Sequence, residues 1–340
     1  MVLHFILLLA LTTGSAPSQQ ARIGEIDFFG AGGIDVEKVR SALPVREGEV
    51  VSEDQSPDIR DRTNRAIERA VGHLATDIAI VCCDEHAGLI IYIGLGGSNT
   101  SSIPLNPAPK GSTCLPRQAV TLYDEAMEAL EQAVRKGNSG EDDTQGYSLS
   151  KDATARAKQM AMHEYAMTHE QRLEGALQAC GKPEQRQAAA ALLGYGKKSA
   201  AQIRALVYAS RDSDEEVRNN AVRALWVLAM ASPKTTSEIP ANSFVQMLNS
   251  GLWTDRNKAG LLLMALTGSR PPQLLERLRT EGLPSLIEMA RWHDSSHARA
   301  YQELLGRIAG FDEARIEQLI ASRKVDEIIA AARNKPGRVM

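Results

Sequence analysis

Aromatic residues are scarce in this 340-residue chain, at 4%, although hydrophobic residues as a whole reach 43%. A core assembled from Ala, Leu, Ile and Val favours thin, close-packed helical layers over a large globular interior. Charge of one sign is also missing. A formal net charge of −3 argues against the basic face that a nucleic-acid binder presents. After the first residues no apolar run approaches the ~20 needed to cross a bilayer as a helix. There are only four cysteines, and none has the spacing of a zinc site.

The usual marks of catalysis are lacking as well. His163 and His169 lie in MAMHEYAMTHE, but an HExxH motif needs its second His at position 167, where Met167 stands. Gly30-Ala31-Gly32-Gly33 precedes a short helix without belonging to a parallel βαβ unit, and Gly94, Gly96 and Gly97 end a hairpin. No serine sits in a nucleophile-elbow pattern. The acids Glu141, Asp142 and Asp143 do not match a calcium loop and read as part of a solvated loop over 137–151.

What is present begins with a leader. Phe5 to Leu11 is a compact apolar run, and Ala16-Pro17-Ser18 offers small residues at a cleavage site. Residues 1–18 are therefore expected to be a signal peptide, and the mature protein periplasmic or secreted, with no integral membrane span after cleavage. Cys82 and Cys83 are adjacent in a strand, where successive side chains oppose each other, so they are not expected to pair together. Two readings remain: a bridge from one of them to Cys114, or free structural thiols. Cys180 reads as a small buried residue.

Residues 20–97 read as a separate α+β unit. Ile23 to Phe29 is a strand, Ile34 to Leu43 a helix capped by Asp35, and Pro57 to Val71 a longer helix. Asp77 to Cys83 and Leu89 to Leu95 are two β-rich runs joined by DEHAG. This strand–helix–helix–strand–strand order, with Phe29-Gly30 after the first strand and Gly48 after the first helix, resembles the POTRA domain. The resemblance implies an envelope protein-binding module that often pairs its edge strand with a client. Residues 98–117, rich in Ser, Pro, Asn and Gly, read as a linker, and the Asn99 sequon as chance.

From 118 to 335 the chain reads as helical. Its centre is Asp212 to Met230, where Asp212 and Asp214 are candidate caps and Val217, Ala221, Ala224, Leu225 and Leu228 form an apolar stripe. With the short helix Ala200 to Ala209 before it, this makes a helical hairpin that needs neighbouring copies to bury its stripe. An Arg, Ala, Leu frame marks those copies: Arg186, Ala189, Leu193; Arg218, Ala221, Leu225; and Arg256, Ala259, Leu263. His297, Ala300 and Leu304 continue it with His in place of Arg, and the origins lie 32, 38 and 41 residues apart. The array resembles HEAT-repeat α-solenoids, in which Asp212 and Arg218 match the Asp and Arg of a ladder between repeats.

The expected whole is a POTRA-like α+β domain followed by an all-α HEAT-like superhelical solenoid. The function this implies is that of an exported, non-enzymatic adaptor or scaffold that binds other proteins, envelope components among them, without a cofactor. In that family the second helices line a concave face. That places Asn219, Arg223 and Trp226, Asn257, Leu261 and Met264, and Gln302 and Leu305 on the binding surface, with Gly194, Trp226, Met264 and Leu305 as an exposed apolar row. The competing reading is a metal-dependent enzyme or enzyme accessory. It would use Met160, His163 and Met167, which share a helical face, His169, or the His293/His297 pair spaced four apart.

Overall fold

The computed structural model describes residues 5–6, 20–52, 55–232 and 237–335. The expected leader lies outside the described residues, except for Phe5–Ile6. The chain is mostly helical, with a small mixed sheet near its N-terminus. No helix among the described residues is long and apolar enough to cross a membrane. The described residues form two compact units, one from residues 103–232, 237–245 and 257–274, the other from residues 5–6, 20–52, 55–102, 246–256 and 275–335.

The second unit is built on four strands, β1 (Gln20–Phe29), β2 (Val50–Ser52), β3 (Asp77–Cys82) and β4 (Leu89–Gly94). Their order is β3-β4-β1-β2. β1 runs parallel to β4, and the other pairs are antiparallel. Phe5–Ile6 adds antiparallel along the outer edge of β3. The register slips between Ile23 and Glu25, and this bulge lets Ile23, Ile26 and Phe28 share one face. Gly24 is needed there, because a Cβ would collide with the Asp84 carboxylate.

Helices α1 (Val36–Ala42), capped by Asp35, and α2 (Ser56–Val71) cover that face. Val39, Leu43, Ile59 and Ile67 pack there with Ile26, Phe28, Ile78, Ile80, Ile91 and Ile93. The opposite face is buried too. Tyr92 stacks on Trp253 at 5.1 Å and meets Trp292 at 4.6 Å, and the Trp292 indole N–H donates to the Phe28 carbonyl. The sheet is thus a middle layer, and residues 20–97 share their core with segments more than 150 residues away in sequence. This corrects the expectation of a self-contained module. Continuous apolar runs such as IAIV and LIIYI are what strands buried on both faces require.

In the first unit, α3 (Arg117–Arg135) and α4 (Ala153–Ala179) precede three shorter helices, α5 (Pro183–Leu193), α6 (Ala200–Ala209) and α7 (Glu215–Ala231). α8 (Trp253–Leu266) follows, its residues from Asn257 onward belonging to this unit. Asp214 caps α7 by accepting from the Val217 N–H. Arg186 and Asp212 form a buried bidentate pair, both bonds 2.8 Å. The Ala and Leu of all four frames are buried.

The segment expected as a linker is ordered. Residues 103–115 lie against the turns of the first unit. The Asn106 N–H donates to the Arg211 carbonyl, Arg211 Nε to the Pro104 carbonyl, and the Gly181 N–H to the Gly111 carbonyl. A disulfide joins Cys114 to Cys180, which corrects the reading of Cys180 as a lone thiol. Cys82 and Cys83 pair with each other across a cis peptide bond, against expectation, and no free cysteine remains.

Candidate binding face and buried charge cluster

On α7, Asn219, Arg223 and Trp226 fall at i, i+4 and i+7 and so share a face. The first two are half-buried, but Trp226 is only 4% exposed. On α8, Asn257 is 3% exposed, while Leu261 and Met264 are half-exposed. In the second unit, Gln302 and Leu305 lie on the helix α9 (Ser295–Ala309). Gln302 is buried, its amide donating to the Ala290 carbonyl, and Leu305 is fully buried. The exposed apolar row is therefore corrected: Trp226 and Leu305 are core residues. A strictly outward position is lost because other segments of the chain lie over it. The part of the expected surface that remains accessible is Asn219, Arg223, Leu261 and Met264.

What meets α7 at Arg223 is a short hairpin in the loop read as solvated. Its strands are Glu141–Asp142 and Leu149–Ser150. Glu141 is buried and accepts from Arg223 Nη2 at 2.6 Å. Burial raises the Glu141 pKa, and Arg223 offsets part of that rise. Burial works against the Arg223 charge, but Glu141, Tyr195 and Asp143 together leave its pKa raised. Glu216, in the first turn of α7, accepts from the Asn219 amide at 3.0 Å and is likewise raised by burial. Beside them sits Lys258. Burial, and then the neighbouring Arg223, push its pKa down to about 8, although Glu216 and Glu141 pull the other way. Of this cluster, the sequence places Asn219 and Arg223 on the binding face and Glu141 in a solvated loop, and does not single out Glu216 or Lys258. The only signal is a run of three acids in a loop beside the helical segment.

The histidines considered as metal ligands are engaged elsewhere. His163 Nδ1 lies 2.8 Å from the Tyr195 carbonyl, and its ring stacks on Tyr147. His169 stacks on Tyr165 at 4.0 Å, at a kink in α4. In the second unit, His297 Nδ1 is 2.6 Å from the Tyr92 hydroxyl. His293 bonds Asp27 twice at 2.8 Å, through its backbone N–H and through Nδ1. Nearby Glu25 is held at a pKa of about 7, by burial first and then by Asp294 and Asp27. Among the described residues no three of His, Cys, Asp and Glu are grouped to hold a metal ion. The Gly30 loop does hold an anion, but an internal one: the Gly30 and Ala31 N–H groups both donate to the Glu288 carboxylate at 2.9 Å.

No protein-family model and no curated protein matches the chain. Two crystal structures of engineered proteins each align over 64% of it, at 16% and 15% identity. They are covered over 96% and 98% of their own lengths, with TM-scores of 0.35 and 0.36, too low to carry an argument.

Proposed function

We propose that this protein is a non-enzymatic adaptor of an envelope compartment, periplasmic or secreted, which binds other proteins through a HEAT-like helical array. The observation that carries this reading is a repeated contact. Arg186, Arg218 and Arg256 each donate to the backbone carbonyl six residues before them, those of Cys180, Asp212 and Ser250, at 2.9, 2.9 and 2.6 Å. One side chain closing the same turn three times supports a repeat built on the Arg, Ala, Leu frame. The Arg186–Asp212 pair links two successive frames as the ladder of that family would. Repeat arrays are built to present extended surfaces to partners. The Cys114–Cys180 bridge is in keeping with an oxidising compartment.

The POTRA-like part of the reading draws on the mixed sheet with α1 and α2 on one face. Its outer edge along β1 is closed by side chains, since Glu47 accepts from the Ile26 N–H and Arg40 donates to the Ile26 carbonyl. A client strand would instead meet the outer edge of β3, where Phe5–Ile6 pairs.

The accessible remainder of the expected surface supplies the test. Asp at both Leu261 and Met264 is compared with wild type for partners retained from envelope extracts. Loss of a specific partner at unchanged melting temperature supports the adaptor reading. Equal retention of every partner overturns this face as the binding surface.

A further inference from the structure

Within the second unit, Asp27 and His293 form a carboxylate–imidazole dyad. Asp27 lies on β1 with only 6% of its side chain exposed, while 58% of the His293 side chain is open to solvent. Asp27 Oδ1 lies 2.8 Å from His293 Nδ1, and Oδ2 accepts the backbone N–H of the same residue at 2.8 Å. One carboxylate thus fixes both the ring and the chain that carries it. A carboxylate only accepts, so in the neutral ring Nδ1 bears the hydrogen and the lone pair is left on Nε2. Among the described residues no hydrogen bond holds Nε2, and it is not a buried atom.

From this geometry we propose that His293 is a nucleophile that takes acyl groups from small, uncharged activated esters and passes them to water, an activity independent of partner binding. The neutral Nε2 attacks the ester carbonyl carbon, forming the C–N bond as the C=O π pair moves to oxygen. When that pair returns, the C–O bond breaks and the alkoxide or aryloxide leaves with its electrons. The product is an N-acylimidazolium whose Nδ1–H still donates to Asp27. Water then adds to the acyl carbon, loses its proton to solvent and expels the imidazole, the C–N pair going back to Nε2. Ester and water thus give acid and alcohol, and the ring is restored. Asp27 is the positioning residue in both halves.

The buried carboxylate is what separates His293 from an ordinary surface histidine. Water screens it poorly, so the positive charge that develops on the ring in the transition state is met more strongly than in solvent. His73 and His86 lack such a partner: His73 Nδ1 meets the Leu74 carbonyl, and the His86 ring lies 3.4 Å from the exposed Glu85. The Asp27 bond raises the His293 pKa above its ordinary value, against partial burial, and Glu47 and Glu25 add to the rise. Charge also selects the ligand class. Asp294 follows directly in the chain and is likewise buried, capping α9 by accepting from the His297 N–H at 2.8 Å. An anionic donor such as an acyl phosphate would approach both carboxylates, whereas an uncharged ester meets no such repulsion.

The full-length chain is treated at about pH 8 with limiting diethyl pyrocarbonate, an uncharged acyl donor, and labelling at each histidine is read by peptide mapping. His293 is expected to label about threefold faster than the exposed His73 and His86 for each unit of added basicity, as a Brønsted slope near one-half gives. Its rate should reach half-maximum above the ordinary histidine value of about 6.5, and Asp27→Asn should bring both rate and midpoint down to those of His73 and His86. The wild-type protein should also hydrolyse p-nitrophenyl acetate, and His293→Gln should remove most of that turnover. Relative to free imidazole, His293 should favour p-nitrophenyl acetate over acetyl phosphate. Labelling of His293 no faster than His73 and His86 in the folded wild-type protein overturns the proposal, as does full ester turnover in His293→Gln. A relative preference for acetyl phosphate overturns the ligand class. The wild-type labelling profile decides the matter even where Asp27→Asn fails to fold.

Discussion

The carboxyl of Glu25 keeps its proton up to about pH 7 because burial and then the carboxylates of Asp294, Asp27 and Asp84 oppose its ionisation, His293 pulling the other way. An unfolded chain releases that proton near 4.5. Between these values the native state binds more protons than the unfolded one, so stability falls as pH rises through the window. Glu25→Gln should therefore flatten this decline. It should add about 1 kcal/mol at pH 8, an amount already reduced for the partial exposure of the site. Urea titrations of both proteins at pH 5 and pH 8 check it, and parallel pH dependence would remove Glu25 as the cause. Trp226 is a second case at this scale. Buried on α7, it should cost roughly 3–5 kcal/mol on replacement by Ala. Its position on the face opposite the stripe was legible in the sequence. Its burial was not, because helical periodicity reports one helix and not what lies over it. Lys258 was missed for the same reason, and Glu141 was read as a solvated loop acid, since only folding brings a loop acid onto a helix arginine.

Helix boundaries were largely legible, because caps and punctuation act locally. Asp35 caps α1 as its spacing suggested, and α6 spans Ala200–Ala209 as read. The three-residue strand β2 escaped notice, being too short to show alternation. The frame residues proved to be the packing positions, so Leu225→Ala or Leu263→Ala should cost roughly 2–5 kcal/mol. The Arg186–Asp212 pair is a sharper test of how neighbouring frames join. Asp212→Ala leaves a guanidinium buried beside one lost partner and should cost roughly 3–5 kcal/mol. The double variant Arg186→Met with Asp212→Leu should recover much of that loss, since no charge is then stranded. Chemical denaturation of the single and double variants measures the coupling, and simple additivity would show that the pair does not act as one unit.

Across the whole molecule, the sequence conveyed a small α+β unit followed by helices. It did not convey that one of the two units draws on both ends of the chain. The clue lay in β3 and β4, whose unbroken apolar runs need cover on two faces while α1 and α2 supply only one. A fragment of residues 20–102 is accordingly expected not to fold by itself. It would leave Phe29, Val81, Ile90 and Tyr92 uncovered, bind a hydrophobic dye and lack a cooperative melt. A sharp thermal transition in that fragment would show that the second layer is dispensable. Reduction of Cys114–Cys180 should lower the melting temperature of the full chain, because its loop closes over 66 residues.

The bond between Asp27 and His293 sets a timetable for synthesis. A ribosome adding about 5–20 residues per second has completed β4 roughly 10–40 seconds before it makes His293. For that interval the finished strands have one uncovered face and no native means of covering it. A nascent chain of this design needs a holding factor, or slow passage through an unfolded-state channel, more than it needs help at the end.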